Sequence, residues 1–240
     1  MLNMINQYAS VCKLNKKDKP LICKKEIEAI MEDKKIYINC HPYVDLCLPS
    51  KTLWSTMNVG ASKPSEYGLY FQWGDTQGYT FDQVGTKKKF SLDWSDYKWY
   101  SGKKDEYGDV AFTKYNTTGA SLELEDDAAH VNMGGDWHMP TPAQINELLS
   151  NTTNTWTTQD GVNGRLFTSK TDTSKSLFIP AAGNVWDGSV SYSGDDGCVW
   201  SSMLSTCNVD CGQNLFFFSD NAYLLNYDRN AGFSVRGVIG

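Results

Sequence analysis

Two groups of side chains have types and spacings that could do chemistry. Asp126, Asp127 and His130 stand at i, i+1 and i+4, so Asp126 and His130 would share a helix face and could hold zinc. The same carboxylates would also cap a helix and complement its dipole, and that reading is preferred. Cys207 and Cys211 are the one close pair near the carboxy terminus. A reactive thiol needs an electropositive, partly exposed setting, whereas Asp210 and Asp220 make this region acidic. Calcium would take loop oxygens; Asp195-Asp196 and Asp220-Asn221 could supply some, but no Glu-Pro-Asn or Gln-Pro-Asp triplet occurs. No cofactor is therefore expected, with calcium the nearest candidate. His41, His130 and His138 are the only histidines. No Gly-x-Ser-x-Gly, P-loop or dinucleotide fingerprint accompanies them, so the chain is not expected to be an enzyme.

A recognition surface is the stronger candidate. Over Asn214–Phe218, strand alternation places Leu215 and Phe217 on one face and Asn214, Phe216 and Phe218 on the other. If the first face is core, two rings and an amide point outward. Asp220, Asn221, Tyr223, Asn226, Tyr227, Asp228 and Asn230 continue the mixture of rings and amides. Tyr offers stiff contact area and Asn adaptable hydrogen bonds, which is why natural paratopes use both. Trp200, Arg229, Val235 and Arg236 read instead as the framework holding this surface.

The elements that must position these residues are short. The 240 residues are 40% hydrophobic and 13% aromatic, enough for a packed core. The net charge is −6, which argues against a general nucleic-acid binder. Residues 1–35 hold eight lysines against five acids, +3, leaving −9 for the remainder. They read as a basic appendage or linker with one short helix over Pro20 to Asp33, ahead of a domain spanning 36–240. No apolar run of roughly 18 residues exists, so no membrane span is expected. Met1 to Val11 is too polar for a signal peptide; export would then take another route, such as incorporation into a particle. The seven cysteines are odd in number and lack CxxC spacing; Cys207 and Cys211 are close enough to bridge across a loop, but unpaired thiols are preferred there.

Lys35–Val44 alternates as a strand. Thr141-Pro142-Ala143-Gln144 writes a capping box with Pro at the first helical position, Ile145, Leu148 and Leu149 form its apolar face, and Asn151 ends it. A shorter helix is expected after Leu124. Beyond Thr152 strands are expected at Trp156–Thr158, Arg165–Ser169, Ser176–Pro180, Val199–Ser202, Asn214–Phe218 and Phe233–Val238. Turns are expected at Asp160-Gly161, Asn163-Gly164, Asp187-Gly188 and Asp196-Gly197.

Several blocks carry a resemblance: "VDLCLPSKTLWSTMNVG" (Val44 to Gly60), Tyr67 to Phe71 with Trp73-Gly74, "LEDDAAHVNMGGDWHMPT" (Leu124 to Thr141), "FIPAAG" (Phe178 to Gly183), "VWSS" (Val199 to Ser202) and "GFSVRGV" (Gly232 to Val238). In order across residues 36–240, the chain resembles the Fibrobacter-type major paralogous domain of gut Bacteroidetes and their phages. That family is similar to the formylglycine-generating-enzyme branch of the C-type lectin fold. The resemblance implies an α+β, C-type-lectin-like fold: two helices, small twisted antiparallel sheets and long ordered loops. It extends to variable proteins of diversity-generating retroelements, in which asparagine codons near the carboxy terminus are randomised. Phe216 to Arg236 resembles such a segment.

The implied function is an adhesion or phage host-recognition module on a virion or bacterial cell surface, binding a cell-surface protein or glycan through a potentially hypervariable site. The alternatives are a formylglycine-generating-type oxidoreductase using Cys207 and Cys211, and a structural particle subunit. Cys40, Cys47 and Lys51 stand where relatives usually have glycine. Left-handed backbone there would be strained.

Overall fold

The computed structural model describes residues 37–87 and 89–240. The appendage read over residues 1–35, its helix, Cys12 and Cys23 lie outside the described residues. Val44–Gly240 form one compact unit. In chain order the elements begin with β1 (Tyr37–Ile38), β2 (His41–Asp45), β3 (Leu53–Asn58), β4 (Tyr70–Phe71), α1 (Phe81–Lys87), β5 (Tyr100–Lys104) and β6 (Val110–Phe112). A 3-10 turn at Leu124–Asp126 leads into α2 (Ala128–Met133), α3 (Pro142–Asn151), β7 (Thr152–Gln159), β8 (Val162–Ser169) and β9 (Ser176–Pro180). The hairpin β10 (Asn184–Trp186) and β11 (Ser189–Ser191) precedes β12 (Gly197–Leu204), β13 (Cys211–Phe217), β14 (Ala222–Asp228), β15 (Phe233–Ser234) and β16 (Arg236–Ile239). The protein is thus a mixed α+β chain of small antiparallel sheets with few helices. It has three α-helices among the described residues rather than two. No helix of the described residues is long and apolar enough to cross a membrane.

The helix that carries the core is α3, and its start is built as its sequence requires. Thr141 Oγ1 accepts from Gln144 N, the Gln144 side chain accepts in return from Thr141 N, and Pro142 opens the helix. Ile145 and Leu148 then enter the principal core with Trp54, Phe167, Ile179, Val199, Leu215, Phe217 and Val238. Asp127 caps α2 by accepting from His130 N at 2.9 Å. Its other oxygen accepts from Met139 N at 2.8 Å, tying the loop behind α2 to the cap.

Three local expectations change. Where one strand was read over Lys35–Val44, the described part from Tyr37 on is a hairpin, because Asn39 and Cys40 turn it with φ of 51° and 65°. Phe233–Val238 is two strands broken at Val235: β15 pairs parallel with β12, and β16 pairs antiparallel with β3. Of the four expected turns, Asp160-Gly161 closes β7–β8 and Asp187-Gly188 closes β10–β11, both with positive φ at each residue, as a primed hairpin turn requires. Asn163-Gly164 lies inside β8, and Asp196-Gly197 leads straight into β12. Cys47 and Lys51 have φ of 54° and 64°, so with Cys40 all three flagged residues adopt the left-handed backbone that glycine tolerates.

Candidate functional site

The site lies on the sheet ordered β14-β13-β12-β15-β4. Strand β13 pairs antiparallel with β12 and β14 on its two sides, so side chains opposite one another share a face. On the inner face Val199, Leu215 and Phe217 are fully buried, with Ala222 and Leu224 packed against the same core. Phe217 meets Phe167 edge-on at 6.4 Å, and its ring covers Gly197, where any Cβ would collide with it. A glycine is therefore required at the start of β12.

The outer face carries Phe216 of β13, Phe218 immediately after it, and Tyr223, Leu225 and Tyr227 of β14. Phe216 lies 5.9 Å from Phe218 and 5.5 Å from Tyr223, ring centre to ring centre. Tyr223 is 38% and Leu225 36% exposed, while Phe216 and Phe218 are half-buried. Tyr227 is half-buried further along, against Trp186 at 5.7 Å and Phe233 at 5.2 Å. Asp220 and Asn221 stand exposed in the turn joining β13 to β14. Arg165 of β8 holds that turn from behind: Nη1 donates to the carbonyls of Phe218, Ser219 and Asn221, and Nε to Asn154 Oδ1. Burial lowers the Arg165 pKa, partly offset by Asp220.

Four of the expected surface residues are placed elsewhere. Asn214 is fully buried. It sits between Trp200 and Leu225 in register, and its Nδ2 donates to Leu225 O at 3.1 Å. Asn230 is also fully buried; it donates to Ser91 O at 2.8 Å, and its own carbonyl accepts from Gln72 Nε2 at 3.1 Å. These amides knit loops to strands. Asn226 and Asp228 alternate onto the opposite side of β14 from Tyr223 and Tyr227, where the Cys211 thiol donates to Asp228 Oδ1 at 3.5 Å. The structure thus gathers Phe216, Phe218, Asp220, Asn221 and Tyr223, with Tyr227 at the far end. Sequence reasoning missed Trp186, Leu225 and Arg165. The turn pair Asp187-Gly188 was the one signal that could have pointed to Trp186.

The framework beneath is buried as expected. Trp200 stacks on Phe233 at 4.1 Å and donates from Nε1 to Phe71 O at 2.8 Å. The Arg236 guanidinium donates to Asn58 Oδ1, Ser55 O and Phe178 O at 3.0, 3.0 and 3.3 Å, and burial lowers its pKa. Arg229 lies with its guanidinium carbon 3.4 Å from the Phe112 ring centre, and Nη1 donates to Tyr115 O.

The other candidate chemistries are occupied by local partners. Asp126 does not join His130. Lys98 and Lys114 both donate to it, at 2.7 and 2.6 Å, and Tyr115 Oη donates at 2.8 Å. Burial works to raise the Asp126 carboxyl, but these donors hold it below the ordinary carboxylate range. Glu123, Glu125 and Asp126 bring three carboxylates within 4.8 Å of one another, yet Lys114 Nζ contacts all three. An ammonium thus stands where a cation would. His130 Nδ1 pairs with Trp137 O. For calcium, Asn221 Oδ1 accepts from Ala222 N and Asp220 Oδ1 from the Ser219 hydroxyl. Cys207 and Cys211 are free, as preferred from the sequence, and so are Cys47 and Cys198, whereas Cys40 is disulfide-bonded. Burial, helped by Asp228, pushes the Cys211 thiol up to about 12.

Comparison of the chain with protein-family models, with curated proteins and with solved structures gives no match.

Proposed function

We propose that the chain is a binding module of C-type-lectin-like fold, displayed on a virion or bacterial surface, whose outer sheet face recognises a cell-surface molecule. The observation that carries this reading is the contiguous Phe216–Phe218–Tyr223 ring cluster, left partly open while Leu215 and Phe217 on the opposite face of the strand are fully buried. Contiguous apolar surface rimmed by polar residues is the kind of patch that marks an interaction site. The sheet beneath is stiffened by Trp200, Arg165 and Arg236, so the rings are held ready and little ordering is lost on binding. The blocks from Val44 to Val238 support the same reading through the resemblance they carry. Oxidase chemistry at Cys207 and Cys211 would need a thiolate, and burial beside Asp228 works against one at Cys211.

The test is retention of the purified protein on a panel of whole gut bacteria, for the native chain and a Phe216→Ala/Tyr223→Ala double variant. Binding to some strains that the double variant loses, with its unfolding midpoint little changed, is the expected result. Equal binding by both proteins removes this face from recognition.

A further inference from the structure

The ring cluster is bordered by charges of one sign. From Ser176 to Asp228, the run that supplies β9 to β14, the chain carries Asp187, Asp195, Asp196, Asp210, Asp220 and Asp228 and no Lys, Arg, His or Glu. Three of these border the cluster. Asp195 and Asp196 directly precede Gly197, the register partner of Phe217, which brings Asp196 alongside Phe218. Asp220 stands in the turn after Phe218. Burial and the adjacent Asp195 carboxylate both raise the Asp196 pKa. The cation behind the turn is already engaged: Arg165 is buried there on three carbonyls.

Asn214 lies beneath Phe216 and Tyr223, fully buried, and fixes the strand rather than meeting a partner. One further feature points to the kind of molecule that would sit here. Strand β14 is the edge of its sheet, with β13 as its one neighbour among the described residues. An edge strand presents a row of backbone donors and acceptors to a second extended chain, and a chain added there turns alternate side chains onto the ring face.

We propose that the partner is a basic polypeptide segment lying along β14, with an arginine or lysine placed over the Phe216 and Tyr223 rings between Asp196 and Asp220. Aromatic faces attract such cations, arginine above all. Carboxylates at the rim speed encounter with a basic surface and repel an acidic one. An anionic lipopolysaccharide core suits the same rim badly, and a neutral glycan gains nothing from it. The inference rests on the outer face being the recognition surface.

Three short extended peptides, alike except for arginine, glutamine or glutamate at alternate positions, are titrated against the native protein by fluorescence anisotropy. The arginine peptide is expected to bind about tenfold more tightly than the glutamine peptide, with the glutamate peptide weakest. Its advantage should shrink as salt rises toward about 0.5 M. Neutralising the exposed site pair (Asp195→Asn/Asp220→Asn) should erase most of that preference. Neutralising an exposed pair that does not border the rings, Glu106→Gln/Asp136→Asn, should leave it intact. Equal loss from both pairs means attraction to overall charge only and overturns the proposal, as does equal binding of the arginine and glutamine peptides or binding of none. Selective capture of a neutral glycan at the Phe216 face overturns it too, while leaving the surface reading standing. The whole-cell assay separates the two failures, because it reports on Phe216 and Tyr223 whatever the partner's charge.

Discussion

Adjacent phenylalanines on β13 should behave as residues of different classes. Phe217 is fully buried, meets Phe167 edge-on and closes over Gly197. Phe217→Ala removes a whole buried ring from a core that can only partly collapse, at a cost of about 3–5 kcal/mol. Phe216 is half-buried on the solvent side, with Phe218 and Tyr223 as its ring neighbours. Phe216→Ala should lose about 1 kcal/mol, the scale of one partly exposed ring contact. In urea, with a slope of about 2–3 kcal/mol/M for a domain of this size, the first change should lower the midpoint by about 1–2 M and the second by less than about 0.5 M. The assay is equilibrium unfolding followed by tryptophan fluorescence, with equal slopes required before midpoints are compared. Equal destabilisation by the two substitutions would mean that both faces of β13 are core. The open ring cluster would then not exist.

Other perturbations follow from the same structure. Arg236→Lys should lower stability by about 3 kcal/mol or more in the same unfolding assay, because lysine cannot supply the fork that reaches Asn58, Ser55 and Phe178. Lys51→Gly should raise stability by about 1 kcal/mol, since Lys51 holds a φ of 64° that glycine adopts freely; an unchanged or lowered melting temperature would count against strain there. Asp126 titrates below the ordinary carboxylate range in the folded chain. Its contribution should therefore be fully present at neutral pH and be lost as pH falls below about 4 through that lowered value. Asp126→Asn should flatten this acid limb in a series of unfolding curves at decreasing pH.

What the sequence made legible, and what it hid, divides along physical lines. The start of α3 could be read because its signal is local: hydroxyl, proline and glutamine sit in fixed order and make their own hydrogen bonds. The split of Leu215 and Phe217 from Phe216 and Phe218 could be read because alternation needs only the strand itself. The fates of Asn214 and Asn230 depend on residues far along the chain, Trp200 beside one and Ser91 and Gln72 around the other. A short amide carries no mark of such partners, so both looked like surface residues. Strand β14 was hidden because the pair Leu224-Leu225 masks its alternation. Only the register with β13 shows that one leucine faces the core and the other water. Helix α1 has one buried residue, Val84, too few for an apolar period to register. Asn163-Gly164 imitates a hairpin turn but lies within β8, where Gly164 instead lets Phe178 and the Ile179 carbonyl approach.

Hydroxyl-radical footprinting of the protein, free and bound to a bacterial strain that retains it, addresses the recognition surface directly. Oxidation of Phe216, Phe218 and Tyr223 should be appreciable in the free protein and suppressed on binding, while exposed Tyr107 and Val131 remain unprotected. Protection confined to Tyr107, Val131 or other distant residues, with Phe216 and Tyr223 as reactive as before, would contradict the account.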